Sequence, residues 1–141
     1  PFKLVLTLTP NDGLYKDAYF KVLITLTEEY PTTHPKLSAL SPIFHPNISY
    51  EGAICFSLLN ETVSHLRLTD YAHGMLWLLY YPNLFSVLNS DCTRNGDQYA
   101  KLVRTSIEGG KVAGKYYQRS KVLKERDQVK KNEKKEEKEE K

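Results

Sequence analysis

Hydrophobic and polar residues alternate in two segments near the start of the chain, residues 2–8 and 20–26. An alternation with a period of two is typical of β-strands that bury one face. The turn-forming residues 10–13 stand between the two segments, so we predict two antiparallel strands joined by a short loop. A third short strand is predicted near residues 36–40, which makes a meander the simplest topology.

Helical spacing of apolar residues appears in the second half of the chain. A central buried helix is predicted to start at Thr69 or Asp70, either of which suits a cap, and to stop before Pro82. A second helix is predicted over residues 97–107, and a third from about residue 112 into the tail. The apolar positions are Ala72, Met75, Leu76 and Leu79 in the first helix, Leu102, Val103 and Ile107 in the second, and Tyr116, Tyr117 and Val122 in the third.

The C-terminal segment differs in composition from the rest of the chain. Residues 121–141 hold 16 charged side chains and only three apolar ones. Such a segment is unable to bury a core, although its Lys and Glu residues are spaced to allow helical pairs. We therefore predict one domain over residues 1–123 and a charged tail over residues 124–141.

Charge and hydropathy narrow the classes of function. Residues 1–120 carry 11 Lys and Arg against 10 Asp and Glu, so the domain lacks the positive excess that nucleic-acid binding needs. No apolar run is long enough to span a membrane, and no signal peptide opens the chain. We expect a soluble monomer of the cytoplasm and nucleus. Because Pro1 stands without a Met at the start of an alternating run, we expect the domain to be incomplete at its N-terminus.

Residues 42–60 show no sustained period and are predicted to form an ordered loop, which is where chemistry tends to lie. The loop contains Cys55 and, eight residues upstream, Asn47. We expect Gly52 to let the chain turn back and bring Asn47 near Cys55. An amide beside a thiol suits acyl transfer, because a neutral N–H donor stabilises the oxyanion of the tetrahedral intermediate. In the alternative interpretation, Cys55 is a buried apolar residue and Asn47 bonds its own backbone.

Two further interpretations involve His45 and Cys92. His45 as a base for Cys55 predicts a cysteine hydrolase, although a histidine in such a loop commonly holds the turn instead. A disulfide between Cys55 and Cys92, with glycosylation acceptor sequences at Asn47 and Asn60, predicts a secreted domain. The histidines and cysteines lack the spacing of metal ligands, and a phosphate-binding loop is missing, so we predict no metal or nucleotide site.

Several of these residues together form a known signature. The chain resembles the ubiquitin-conjugating enzymes, in which a Tyr-Pro loop precedes His-Pro-Asn and then the active-site cysteine at a fixed distance. Within that family it resembles the branch that conjugates NEDD (Rub) modifiers, over about residues 2–123. The matching residues are Tyr30-Pro31 with Pro35, His45-Pro46-Asn47, Gly52 and Ile54-Cys55 for the family, and residues 2–4, 10–15, 106–110 and 116–119 for the branch.

The resemblance implies an α+β domain with the ubiquitin-conjugating-enzyme fold, an antiparallel β-meander followed by an active-site loop and helices. It implies that Cys55 accepts a ubiquitin-like modifier, NEDD or ubiquitin, as a thioester from an activating enzyme. With a RING-type ligase, Cys55 then passes the modifier to lysines of substrates such as cullins. Asn47 takes an oxyanion or loop-ordering role and His45 a structural role. ATP is used by the activating enzyme, so this chain is expected to bind no cofactor.

The chain departs from the family pattern at four positions. His34 and His65 stand where the family has loop prolines, Val63 replaces a tryptophan, and Ser86 replaces an acidic gate that orients the incoming lysine. Ser86 is retained as a supporting site residue because its hydroxyl can hydrogen-bond, but it does not attract an ammonium group as a carboxylate does. These departures favour an alternative function, a catalytically weak or inactive binding module in the same pathway.

Overall fold

Three strands form an antiparallel meander, which confirms the topology predicted from the alternation. The computed structural model describes residues 2–60, 66–85, 87–122 and 125–140, with the backbone alone at residues 60 and 125–131. The strands are β1 (Phe2–Leu8), β2 (Phe20–Leu26) and β3 (Lys36–Ala39). They lie in the order β1-β2-β3, with Leu8 opposite Phe20. The connection between β1 and β2 spans residues 9–19, so it is longer than the predicted short loop.

Two helices lie close to their predicted bounds. Helix α1 spans Leu68–Tyr80 and helix α2 spans Gly96–Glu108. Helix α1 starts before the predicted caps, Thr69 and Asp70. Asp70 lies in the first turn of the helix, where its Oδ2 accepts the Arg67 N–H at 2.7 Å. An apolar side chain at position 70 would be unable to accept this hydrogen bond. None of the described helices is long and apolar enough to cross a membrane.

One apolar core lies between the sheet and the two helices. The alternation along β2 correctly predicted its buried residues, which are Phe20, Val22 and Ile24. The helices add Tyr71, Met75, Leu78 and Leu79 from α1 and Tyr99, Val103 and Ile107 from α2. The aromatic members Tyr71 and Tyr99 and the aliphatic Leu78 were absent from the predicted apolar faces. The predicted Ala72, Leu76 and Leu102 are only partly buried. The buried face of each helix therefore differs in part from the one that the apolar spacing indicated.

The predicted third helix is wrong over residues 112–122. The segment forms a hairpin of β4 (Gly110–Val112) and β5 (Lys115–Tyr117). Its turn residues Ala113 and Gly114 have positive φ values of 51° and 76°, as a two-residue hairpin turn requires, and glycine adopts such values without strain. Val112 and Tyr117 are therefore buried as residues of two paired strands, and not as part of one helix face.

The charged tail is helical over Glu125–Glu139, which is helix α3. Residues 132–140 are all exposed. The chain before the helix is fixed to the domain, because the Val122 N–H donates to Asp17 O at 2.6 Å and the Tyr19 N–H to Ser120 O at 2.8 Å.

Deleting residues 125–141 is expected to change the melting temperature by less than about 2 °C, because a polar helix that is exposed over residues 132–139 contributes little to a cooperative core. The deletion starts beyond the hydrogen bond of Val122 and leaves it intact. Thermal unfolding followed by circular dichroism measures the effect. A decrease of several degrees would show that the tail docks on the domain.

Candidate active site

The segment that leads into the loop of Cys55 is buried and held by two tyrosines. Residues 43–48 are buried, and Phe44 O accepts the hydroxyl of Tyr15 at 2.6 Å. Tyr99 of α2 donates in turn to the Tyr15 hydroxyl. The segment is therefore anchored both to the β1–β2 connection and to α2. The sequence did not reveal either tyrosine as a site residue, since neither belongs to a local motif.

A tight turn over residues 49–52 returns the chain to Cys55. The Gly52 N–H donates to Ser49 O at 3.0 Å, and the Ala53 N–H donates to Ser49 Oγ at 2.9 Å. Gly52 has a φ of +100°, and a Cβ there would lie 2.6 Å from Ala39 O, so only glycine fits. The Cys55 N–H then donates to Asn47 O at 2.8 Å. The structure thus brings Asn47 beside Cys55 through the backbone, by the turn at Gly52.

The Asn47 side chain joins this loop to the segment that follows α1. Its Nδ2 donates to Asn83 O at 2.9 Å, and its Oδ1 accepts the Asn83 N–H at 2.9 Å. The residue is only 2% exposed, so these two bonds form in a sheltered environment. Asn47 therefore does not simply bond its own backbone, as the alternative interpretation supposed; it connects two loops. The partner Asn83 was not identified from the sequence, because it lies 36 residues away.

His45 is a buried residue whose ring nitrogens both have partners. Its Nδ1 accepts the Asn47 N–H at 3.0 Å, which leaves the proton on Nε2, and Nε2 donates to Leu78 O at 2.8 Å. Burial lowers the pKa of His45 to about 4, while the hydrogen bond to Leu78 partly opposes that shift. The imidazole is neutral at pH 7 and is committed to backbone partners. This arrangement does not support the cysteine-hydrolase interpretation, in which His45 acts as a base.

The burial of His45 predicts a dependence of stability on pH. Its pKa falls from 6.5 to about 4 on folding, so between these values the unfolded chain binds more protons and the free energy of unfolding decreases as the pH falls. The expected loss between pH 7 and pH 4 is about 3 kcal/mol. Denaturant unfolding of the wild type and of His45→Gln, which does not titrate, measures this contribution as a difference. Parallel pH profiles for the two proteins would contradict it.

Cys55 is exposed and carries a free thiol, three residues after the turn of residues 49–52. The next residue, Phe56, is buried, and a Cβ at Gly74 would lie 2.2 Å from its ring. A glycine in the middle of α1 thus allows Phe56 to pack against the helix backbone. The exposure of Cys55 contradicts the interpretation of this residue as a buried apolar side chain.

The other cysteine, Cys92, lies in a different environment. It is half-buried and not bonded to Cys55. Burial, together with the charge of Asp91, raises the pKa of the Cys92 thiol to about 12. Since the thiolate is the nucleophilic form, we expect the Cys92 thiol to react slowly at neutral pH. The structure therefore does not support the one-disulfide domain, and it leaves Cys55 as the accessible thiol.

The segment after α1 also contacts the loop through the backbone. Pro46 O accepts the N–H groups of Leu88 and Asn89 at 2.7 and 3.0 Å. Ser86, the predicted supporting residue of this segment, lies outside the described residues, as do Val63 and His65. His34 is described, and its Nδ1 lies 2.7 Å from the hydroxyl of Tyr71.

Comparison with known proteins agrees with this geometry. The family profile of ubiquitin-conjugating enzymes matches residues 2–107. The chain is 34% identical over 116 residues to the NEDD8-conjugating enzyme ubc12 of Schizosaccharomyces pombe, covering 79% of this chain and 66% of that protein. It is 32% identical over 117 residues to the NEDD8-conjugating enzyme UBC12 of Yarrowia lipolytica, covering 79% of this chain and 65% of that protein.

A solved structure also matches. Superposition on S. cerevisiae Ubc12 gives a TM-score of 0.79 at 29% identity and covers 84% of this chain and 66% of that chain. The chain thus spans just under two thirds of the length of these relatives. The fold and the resemblance to the NEDD branch, predicted from the sequence, are confirmed by these matches. This chain belongs to the ubiquitin-conjugating enzyme family.

Proposed function

We propose that the chain accepts a ubiquitin-like modifier on Cys55 as a thioester and transfers it to a substrate lysine. The observation that carries the proposal is the pairing of an exposed thiol with a fixed loop. Cys55 is accessible, while its backbone N–H is bonded to Asn47, whose side chain is locked to Asn83. The modifier can therefore be attached as an acyl group at a position that the fold holds in place.

Both steps are acyl transfers at Cys55. In the first, the Cys55 thiolate attacks the thioester carbonyl of the modifier on the activating enzyme, and the cysteine thiolate of that enzyme leaves. In the second, the lysine amine attacks the new thioester, the Cys55 thiolate leaves, and the amine proton passes to solvent. Each step passes through a tetrahedral oxyanion. ATP is consumed upstream, by the activating enzyme.

Asn47 and His45 have different parts in this proposal. The two hydrogen bonds of Asn47 to Asn83 support a loop-ordering role, and an oxyanion role requires its Nδ2 to approach the carbonyl on Cys55. His45 holds the same loop to Leu78 of α1 in its neutral form. Ser86 is proposed to assist the incoming lysine as a hydrogen-bonding partner, in place of a carboxylate.

The partners follow from the family. We propose a modifier of the NEDD type, because the relatives named above are NEDD8-conjugating enzymes. Ubiquitin is the competing modifier. An activating enzyme, a RING-type ligase and cullin substrates complete the proposal, with the chain acting as a monomer.

A second candidate is a binding module in the same pathway that transfers slowly or not at all. The observation that favours it is Ser86 in the segment after Asn83, at a position where the resemblance to the family implies an acidic residue. Without a carboxylate nearby, an incoming ammonium is neither attracted nor helped to lose its proton.

A charging assay separates the two candidates. The chain is incubated with ATP and with either the NEDD modifier or ubiquitin, each with its own activating enzyme. An adduct of one modifier that disappears under reducing conditions, and that passes the modifier to free lysine, supports the enzyme and identifies the modifier. Absence of an adduct with both modifiers, or an adduct that does not pass to lysine, from a folded chain, favours the binding module.

A further inference from the structure

Lys115, the first residue of β5, lies where three segments meet. Its Nζ is 2.9 Å from Oδ2 of Asp91 and 5.7 Å from the ring centroid of Tyr50. Tyr50 belongs to the turn of residues 49–52 before Cys55, and Asp91 belongs to the segment after α1. One ammonium group on the hairpin therefore contacts both segments that flank the site.

On the side of Asp91, two hydrogen bonds connect the ion pair to Pro46, the residue before Asn47. The Asp91 N–H donates to Asn89 Oδ1 at 3.0 Å, and the Asn89 N–H donates to Pro46 O at 3.0 Å. The carboxylate that Lys115 holds is thus two hydrogen bonds from Pro46. A shift of Asp91 would move the backbone that supports the loop.

On the other side, the turn is fixed to the hairpin through Tyr50. Its hydroxyl donates to Tyr116 O at 2.8 Å, and its ring lies edge-on to Tyr117 at 5.4 Å between centroids. The face of the same ring lies toward Lys115, a geometry in which a cation is attracted to an aromatic ring. Lys115 and Tyr50 therefore both help to fix the turn of residues 49–52 to the hairpin.

The electrostatics distinguish this pair from the other ion pair of the described residues. The Asp91 side chain is 21% exposed and that of Lys115 40%, whereas Lys121 and Glu108 are 39% and 57% exposed and 3.6 Å apart. The hydrogen bond to Asp91 raises the pKa of Lys115. A short pair with a sheltered carboxylate is screened less than an exposed one. Lys121 is therefore a matched control for Lys115.

We propose that Lys115 is a positioning residue for transfer from Cys55: it holds the turn of residues 49–52 and the segment of Asp91 against the hairpin. The inference rests on the proposed function. Lys115→Met keeps an apolar stem but removes the charge, and it is expected to slow discharge of the thioester to free lysine by about three- to tenfold. Lys115→Arg, which retains a charged donor, is expected to discharge within twofold of the wild type.

The test uses single-turnover discharge of the full chain. The modifier is loaded without the activating enzyme, by exchange of its small-thiol thioester onto Cys55, so that loading differences do not enter. The wild type is expected to remain faster than Lys115→Met as salt rises from about 0.05 to about 1 M, because a short pair with a sheltered carboxylate is only partly screened. Lys121→Met is expected to match the wild type in rate at both salt concentrations. Melting temperatures of all variants separate positioning from unfolding.

The outcomes are distinct. If the wild-type thioester forms but does not pass to lysine, the proposed function is wrong and this inference falls with it. If the wild type discharges and Lys115→Met lies within twofold of it, or Lys115→Arg is as slow as Lys115→Met, only the inference on Lys115 is overturned.

Discussion

Replacing Cys55 by serine is expected to convert a reducible adduct with the modifier into one that survives reducing agent. Serine forms an oxygen ester, and an alkoxide is a poorer leaving group than a thiolate. Cys55→Ala is expected to form no adduct, because an alanine lacks a nucleophile. Gel electrophoresis with and without reductant, followed by mass spectrometry of the adduct, measures both results.

Cys92 provides the control for this experiment. Its thiol is half-buried and its pKa is raised to about 12, so Cys92→Ser is expected to charge like the wild type. An adduct that persists in Cys55→Ala would show that the modifier is attached elsewhere, and the assignment of Cys55 would be wrong.

Asn47→Ala is expected to accumulate the thioester but to pass it to lysine slowly. Loss of one oxyanion donor lowers a rate by roughly 100- to 1,000-fold. The structure adds a second cause, because Asn83 N and O both lose their partner on Asn47. Leaving such groups unpaired where they are sheltered costs about 1–3 kcal/mol. Single-turnover discharge and denaturant unfolding, measured on the same variant, report the two effects separately.

Asn47→Asp tests the hydrogen-bond donor of the Asn47 side chain separately from its acceptor. It keeps an oxygen for the Asn83 N–H but removes the N–H that reaches Asn83 O. Slow discharge from this variant with its fold intact supports the donor role. Discharge at the wild-type rate from a folded Asn47→Ala would mean that Asn47 takes no part in transfer.

The two-residue period correctly predicted β1 and β2, and the helical period predicted α1 and α2. The third strand also lies where it was predicted, near residues 36–40. Each of these elements buries one face against a common core, so the spacing of apolar residues along the chain indicates which residues are buried. The same reasoning was wrong for residues 112–122. There, Val112, Tyr116 and Tyr117 have a helical spacing. The positive φ values at Ala113 and Gly114 form a hairpin turn instead, and Val112 and Tyr117 are buried while Tyr116 is exposed.

In the candidate site, too, some features were predicted from the sequence and others are shown only by the structure. By itself, the sequence determined the α+β meander and the family. It also led to the prediction of four site residues, His45, Asn47, Cys55 and Ser86. The signature joins a tripeptide to a cysteine at a fixed spacing, and this information is local. The roles of all four residues remain predictions, and Ser86 in addition lies outside the described residues.

Only the tertiary structure decided how the predicted residues are held. It paired Asn47 with Asn83, kept His45 neutral by burial against Leu78, exposed Cys55, and placed Lys115 between Asp91 and Tyr50 in space. These contacts join residues separated by 24 to 65 positions, so no local period or spacing encodes them. Hydrogen bonds, burial and charge at a site depend on distances in three dimensions, which the chain acquires only when the core brings its distant segments together.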